Sequence, residues 1–437
     1  MSADASARAL DAVARTRSGT ALAAAEIELL VADFVAGRIP DYQMAAWLAT
    51  VACRGLSRAE TVALTRAYVT GGETLDFAAS GRVVLDKHST GGVGDKVSLV
   101  VAPLVAACGV AVAKMSGRGL GLTGGTIDKL ESIRGLRLEL DAAEVYRLVD
   151  QVGMVITGQS AGLTPGDKAT YALRDVTGTV DSLPLIAASI VSKKIAVGAH
   201  GVLFDVKTGA GALIPDPDRA LELARLMVEV ASGAGLRCRA VLTDMSQPLG
   251  YAVGNALEVR EALDVLRGQE VPGLTELCRT IAALMLRGAD PGLTPEAAER
   301  KVDDTLAAGA GYERFLRWAA AQGAEPGALE DPGGLPAAEL QEVVVADRAG
   351  YVAQVDPRAV GTAAIRVGAG RLVKNGPLDH AAGVVLRRRV GDRVSAGEPL
   401  AVIHHRAGVE PPVALVNAAF VVSESPPVEV PVVLRTL

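Results

Sequence analysis

Two glycine-rich stretches carry the residues best suited to chemistry in this chain. The first reads Asp86-Lys87-His88-Ser89-Thr90-Gly91-Gly92-Val93-Gly94-Asp95. The second joins Lys114-Met115-Ser116-Gly117-Arg118-Gly119-Leu120 to Thr123-Gly124-Gly125-Thr126-Ile127-Asp128-Lys129. Both follow apolar, strand-like runs (83–85 and 110–113), and the first leads straight into a helix-like run at 97–107. Glycines let main-chain N–H groups approach oxygen atoms closely, and a helix N-terminus adds positive potential. Both loops therefore read as anion holders in which backbone amides do the holding. Around them stand hydroxyls (Ser89, Thr90, Ser98, Ser116, Thr123, Thr126) and cations (Lys87, Lys96, Lys114, Arg118, Lys129), donor types that suit phosphate oxygens. One glycine turn after a strand is usually only a turn. Neither stretch spells Gly-x-x-x-x-Gly-Lys-Ser/Thr or Gly-x-Gly-x-x-Gly, which counts against a Walker nucleotidase and a dinucleotide enzyme.

The elements that must position these loops follow from hydrophobic periodicity. From 5 to 68 apolar residues recur every three or four positions, broken at Gly37, Pro40 and Gly55, which predicts a small helical bundle. Gly71-Gly72 marks a boundary. Strand-like runs at 83–89, 110–115, 154–157, 203–207 and 240–244 then alternate with helical ones, the pattern of a mostly parallel sheet covered by helices. The segment 163–199 interrupts that alternation with helices only. Within it Asp181 or Ser182 caps a helix that Pro184 opens, and Ser189 and Lys193, four residues apart, share one face. Beyond 343 short β runs alternate with glycine turns. Val390-Gly391-Asp392 to Glu398-Pro399-Leu400 resembles the hairpin of biotinyl and lipoyl carriers but lacks the Met-Lys-Met attachment site, so a structural role is expected. The fold class is thus α/β: a small all-helical domain (1–70 plus 163–199), a large α/β domain with a mostly parallel central sheet (71–162 plus 200–342), and a C-terminal β-rich, α+β subdomain (343–437).

Composition narrows the function. At 437 residues the chain has material for two or three cores, built from small aliphatics, since half the residues are hydrophobic but only 3% are aromatic. So few rings leave little for base-stacking platforms, and a net charge of −6 with mixed signs argues against a nucleic-acid partner. Cys53, Cys108, Cys238 and Cys278 form no Cys-x-x-Cys pair and are expected reduced and buried; the five histidines form no His-x-x-x-His pair, which argues against zinc. No apolar run reaches the length of a membrane span and no leader is evident at 1–17, so the expectation is a cytoplasmic protein with no membrane partner.

Lys87-His88-Ser89-Thr90-Gly91-Gly92-Val93-Gly94-Asp95 and Ser116-Gly117-Arg118-Gly119-Leu120-Gly121-Leu122-Thr123-Gly124-Gly125-Thr126 resemble the signatures of thymidine and pyrimidine-nucleoside phosphorylases. Four further motifs resemble that family in the same order: Tyr171-Ala172-Leu173-Arg174-Asp175-Val176-Thr177, Ser189-Ile190-Val191-Ser192-Lys193-Lys194, Asp205-Val206-Lys207-Thr208-Gly209-Ala210-Gly211-Ala212 and Asp244-Met245-Ser246-Gln247-Pro248-Leu249-Gly250. The resemblance spans nearly the whole chain. It implies reversible phosphorolysis of pyrimidine nucleosides and deoxynucleosides to free base and (deoxy)ribose 1-phosphate, with inorganic phosphate as co-substrate and no organic cofactor. By the same resemblance Arg174, Ser189 and Lys193 are base-binding and catalytic. His88 stands near the base O2 as a proton or hydrogen-bond donor, and Lys87, Ser89, Ser98, Ser116 and Thr126 contact phosphate. A homodimer through the helical domain is implied, with closure across the cleft on glycine hinges at 71–72, 158–166 and 198–201.

Three positions depart from or refine the resemblance. The family's monovalent cation, potassium, would map to Gly94, Leu249, Ala252 and Glu261, but this chain has Lys96 where some members have threonine. A lysine ammonium could take the cation's place and pair with Glu261, so activity independent of potassium is expected. Leu122 replaces a frequent histidine. Lys114 resembles the broad enzymes rather than the thymidine-specific ones and could donate to a ribose 2′-hydroxyl, so uridine and thymidine are both expected substrates. The rivals are a thymidine-specific phosphorylase, a phosphoribosyltransferase of the anthranilate type, with Asp86, Asp95 and Asp128 as candidate magnesium ligands, and a non-catalytic nucleoside or phosphate sensor.

Overall fold

A computed structural model describes residues 2–119, 124–158, 162–330, 333–371 and 376–437. Four helices open the chain: α1 (Ala3–Ser18), α2 (Ala24–Val35), α3 (Asp41–Arg54) and α4 (Arg58–Val69). Ser57 and Glu60 form a reciprocal capping box at the start of α4. Trp47 is fully buried among these helices and satisfies its indole N–H on the Thr16 hydroxyl at 3.2 Å.

The central sheet is built from β1 (Val84–Ser89), β2 (Ala111–Met115), β3 (Met154–Thr157), β4 (Gly201–Thr208) and β5 (Arg237–Asp244), with α5 (Val97–Ala107), α6 (Thr126–Leu130) and α7 (Ala142–Val152) between the first strands. All five strands are parallel, in the order β5-β4-β1-β2-β3. Their side chains are buried on both faces over β2, β3 and β4, as helices on both sides require. Every residue of α5 from Val97 to Ala106 is buried, which is why this helix is apolar all round.

Two helices interrupt the sheet, α8 (Pro165–Thr177) and α9 (Leu183–Ala196). Ser182 stands at the N-cap of α9 without a side-chain capping bond, and Pro184 lies in its first turn. Leu185 and Ala188 of α9 pack into the core of α1–α4. Leu183, Ile186, Ala187, Ile190 and Val191 pack instead against β4, β5 and α10 (Pro217–Gly233). Thus α9 is buried on both sides and joins the helical bundle to the sheet.

The C-terminal part holds two small antiparallel sheets. In chain order its strands are β6 (Ala252–Val253), β7 (Leu340–Val345), β8 (Gly350–Val355), β9 (Gly383–Leu386), β10 (Arg393–Val394), β11 (Pro399–His405) and β12 (Phe420–Ser423), arranged as β10-β8-β12 and β6-β9-β11-β7. Two strands depart from the expected division at 343. β6, from the α/β segment, joins a C-terminal sheet, and β13 (Val433–Thr436) leaves the C-terminal part to pair antiparallel with β5. The second crossing covers an otherwise open sheet edge, a position that attracts any nearby extended, β-branched segment. A third correction concerns cysteine: Cys53 is exposed, while Cys108 and Cys278 are buried, and all four are unpaired. Among the described residues no helix is long and apolar enough to cross a membrane.

The β6–β9 contact depends on two glycines. Gly254 has φ +145, and a Cβ there would lie 2.4 Å from the Ala382 carbonyl oxygen; one at Gly383 would lie 2.3 Å from that of Val253. Gly254→Ala is therefore expected to lower the unfolding free energy by about 2 kcal/mol or more, read from urea melts, since neither backbone can retreat. An unchanged midpoint would show that this approach is not tight.

Candidate active site

The carboxyl ends of β1 and β4 lie side by side, Ser89 opposite Asp205, and bring several charges out of water. Lys87 is buried and pairs with Asp205 at 2.7 Å; Lys207, also buried, pairs with the same oxygen at 2.9 Å. Thr243 donates to the other Asp205 oxygen at 2.7 Å. Burial opposes the Lys87 ammonium, but Asp205 and Asp95 outweigh it and hold its pKa above the ordinary lysine value. Asp95 accepts a short hydrogen bond from Ser89. Burial works against its charge, yet Lys207, Lys87 and Lys129 hold its pKa far below the usual carboxylate range. Lys129 donates to the Asp95 carbonyl at 2.6 Å and pairs with Glu258 at 2.8 Å. Lys194 of α9 pairs with Asp86 at 2.7 Å.

The first glycine loop is held by its own amides. Thr90 donates to the Asp205 carbonyl, Gly91 to the Ser89 hydroxyl, Val93 to the Gly211 carbonyl and Asp95 to the Gly92 carbonyl, all at 3.1–3.2 Å. These four amides are spent on the loop's shape, so any holding by backbone amides falls to others of the loop. Lys87, paired with Asp205, and Ser89, whose one O–H goes to Asp95, stand at this loop, and Ser98 is buried in the first turn of α5.

Asp128 organises the second loop. Its Oδ2 accepts from the amides of Gly119 at 2.5 Å and Gly125 at 3.3 Å, and its Oδ1 meets Arg371 at 2.8 Å and Arg118 at 3.5 Å. Ser116 and Thr126 flank the loop, both half-buried. Leu120, Gly121, Leu122 and Thr123 lie outside the described residues. Arg371, contributed by the C-terminal part, was not foreseen; nothing in its local sequence marks it. The three candidate magnesium ligands are thus engaged by cations or donors: Asp86 by Lys194, Asp95 by Ser89, Asp128 by Arg371. Among the described residues no three His, Cys, Asp or Glu side chains converge as a metal site.

On α8 and α9 the Lys193 ammonium donates to the Ser189 hydroxyl at 2.9 Å and makes a short ion pair with Asp167, so these side chains do share a face. Asp167 is almost wholly buried and was missed in the sequence; its place one turn into a proline-started helix, seven residues before Arg174, was the available signal. Arg174 is almost wholly buried. Its guanidinium donates to the carbonyls of Val180 (2.9 Å), Leu185 (3.0 Å) and Thr179 (3.3 Å), closing the α8–α9 turn. Three of its five N–H groups are spent there, leaving two for any ligand.

His88 lies on β1 between Lys87 and Ser89, opposite Phe204 of β4. Burial, together with the positive potential of Lys194, Lys114, Lys193 and Lys87, pushes its pKa well below the usual histidine value. Lys114 is buried and donates to the Lys87 carbonyl at 2.7 Å. It also borders a cavity of about 900 Å³ shared with Met115, Thr157, Gly158 and Lys168. His88, Ser189 and Lys193 do not line that cavity, which adjoins the cluster without containing it.

The match to known proteins follows the same division. Residues 10–72 match the glycosyl transferase family, helical bundle domain; 81–312 the glycosyl transferase family, a/b domain; and 351–420 the pyrimidine nucleoside phosphorylase C-terminal domain. Pyrimidine-nucleoside phosphorylases from Geobacillus stearothermophilus and Bacillus subtilis are each 46% identical over 397 residues, 91% of this chain and 92% of theirs. One from Staphylococcus aureus is 45% identical with the same coverage. In three dimensions anthranilate phosphoribosyltransferase from Thermus thermophilus aligns over 71% of this chain and 99% of its own, with a TM-score of 0.58 at 21% identity, a likeness of fold.

Lys114 carries a measurable pH signature. Burial, helped by Lys194 and Lys87 and opposed by Asp86, pushes its pKa down to about 7, against about 10.4 in an unfolded chain. Between those values the unfolded chain binds more protons, so this group makes stability rise with pH and withdraws that gain as pH falls toward 7. The difference in unfolding free energy between wild type and Lys114→Met should therefore shift in favour of wild type from pH 7 to 9 in denaturant melts. A difference independent of pH would refute the assignment.

Proposed function

The chain belongs to the pyrimidine-nucleoside phosphorylase family, and on that premise we propose that it catalyses reversible phosphorolysis of pyrimidine nucleosides and deoxynucleosides. The products are the free base and ribose or deoxyribose 1-phosphate. The observation that carries this reading is α9, whose Lys194 pairs with Asp86 on the strand leading into the first glycine loop while the adjacent Lys193 meets Asp167 and the Ser189 hydroxyl on the helical side. That arrangement supports an anion acceptor and a leaving-group stabiliser joined through one helix.

Phosphate is held by Lys87, Ser89 and Ser98, with Ser116 and Thr126 closing from the second loop. A phosphate oxygen attacks the anomeric carbon while the glycosidic bond breaks, and its electron pair leaves with the pyrimidine, spread over O2, N3 and O4. Lys193, Ser189, the two remaining N–H groups of Arg174 and the imidazole of His88 donate to those atoms. One donor aimed at such a developing charge is worth about 3 kcal/mol, roughly a hundredfold in rate. Asp167 positions Lys193 through their ion pair. Because α8 and α9 carry the base side and β1 the phosphate side, closure between them completes the site.

Lys114 supports acceptance of ribose as well as deoxyribose, since its ammonium has two N–H groups beyond the one given to Lys87. Exposed apolar side chains on the helical bundle, Leu10 and Tyr42 among them, support a homodimer through that face. Four unpaired cysteines fit a reducing, cytoplasmic setting. The phosphoribosyltransferase reading is disfavoured because its would-be magnesium ligands are already paired.

Release of free base from uridine, thymidine and deoxyuridine, followed by ultraviolet absorbance, tests the reaction. Release that requires inorganic phosphate is expected from all three, and release from thymidine alone would replace the broad reading by the thymidine-specific one. Lys193→Ala should lose about a hundredfold or more in turnover. Wild-type turnover in that variant would remove Lys193 from the mechanism.

A further inference from the structure

The first glycine loop ends at Lys96, the N-cap residue of α5, and the lysine side chain does not reach solvent. Its ammonium donates to the carbonyl oxygens of Leu249 and Ala252, each at 2.8 Å, and to Glu261 Oε2 at 2.5 Å. All three of its N–H groups are satisfied. Glu261, on the helix Asn255–Leu266, is in turn fixed by the amides of Tyr251 (2.7 Å) and Ala252 (3.1 Å). Two glycines with positive φ clear the space. A Cβ at Gly94 would lie 2.7 Å from the Leu249 oxygen, and one at Gly250 would lie 2.5 Å from Glu261 Oε2 and 3.1 Å from the ammonium.

Gly94, Leu249, Ala252 and Glu261 are the positions to which the family resemblance assigns a monovalent cation. The oxygen set is present, but its centre is taken. A potassium ion would place a second positive charge beside Lys96 with one carboxylate to balance both, in a site closed to water, where repulsion is large. The residues present do not fit the metal.

We propose that the Lys96 ammonium is this chain's resident monovalent cation, tethered covalently to the phosphate loop, and that potassium neither binds here nor supports fold or turnover. The tether ties three segments together: the loop that carries Ser89 and Asp95, the stretch 249–252 that leads into β6, and the helix bearing Glu261. Arg389 fastens the same stretch from the C-terminal part through the carbonyls of Pro248 (3.2 Å) and Gly250 (2.5 Å). A loop held by its own side chain keeps its shape at any potassium concentration.

The test compares potassium chloride with tetramethylammonium chloride at equal ionic strength, reading thermal melting and phosphate-dependent base release. The turnover arm rests on the proposed phosphorolysis; the melting arm does not, so failure of one reading is distinguishable from failure of the other. Wild type should melt and turn over alike in both salts. Lys96→Thr, which returns a neutral oxygen to the cage, should melt several degrees lower in tetramethylammonium and recover in potassium. Lys96→Met, which offers no oxygen, should be destabilised in both. Loss of stability or turnover by wild type without potassium would overturn the proposal, as would Thr and Met variants that respond alike. If neither variant can be purified folded, the wild-type comparison still decides.

Discussion

The carboxylate of Asp205 holding two buried ammonium groups, Lys87 and Lys207, is the interaction on which the rest of the structure depends. An ammonium without a counter-charge in such a place costs several kcal/mol, so each lysine tolerates burial only because a carboxylate or carbonyl faces it. Lys129 has Glu258 and Lys194 has Asp86, whereas Lys114, facing only the Lys87 carbonyl, has its pKa pushed down to about 7 and stands apart from these fixed cations. Cations held this way cannot swing away. Their field is fixed before any ligand arrives, the condition under which electrostatic stabilisation is strongest.

The same constraint explains why α9 is buried on both sides. Lys194 plugs into the strand ends through Asp86, whereas Lys193, its neighbour in the chain, turns to Ser189 and Asp167. Successive residues on a helix point about 100° apart, so two adjacent lysines reach two different environments. One anchors the helix to the anion side and the other serves the base side. The C-terminal part contributes at a distance, through Arg371 on Asp128 and Arg389 on the 248–250 carbonyls.

Much of this was legible in the residues. Apolar runs located the five parallel strands to within a few positions, because strands buried on both faces announce themselves as unbroken aliphatic stretches. Four-residue spacing placed Ser189 beside Lys193, whereas the pairing of Lys96 with Glu261, which the structure contains at 2.5 Å, was implied only by the family resemblance. What escaped notice was long-range or depended on atoms that sequence leaves free. Asp167 and Arg371 are single charges whose partners, Lys193 and Asp128, lie far away along the chain. The loop amides could be counted but not their acceptors, so nothing in the sequence told that those of Thr90, Gly91, Val93 and Asp95 are spent within the fold. Arg174 matched its motif, yet only the turn geometry shows three of its N–H groups closing 179–185. β13 lies far beyond β5 in the chain, and no local pattern reveals which sheet edge an extended tail will cover.

One measurement bears most directly on the claim that the anion half is built by the buried charges of the sheet, independently of the base half on α8 and α9. Inorganic phosphate would be titrated calorimetrically into wild type and Lys193→Ala, with no nucleoside present. Affinities equal within about twofold, the scatter of independent sites, are expected. Loss of phosphate binding in Lys193→Ala would contradict the separation and make the two halves a single site.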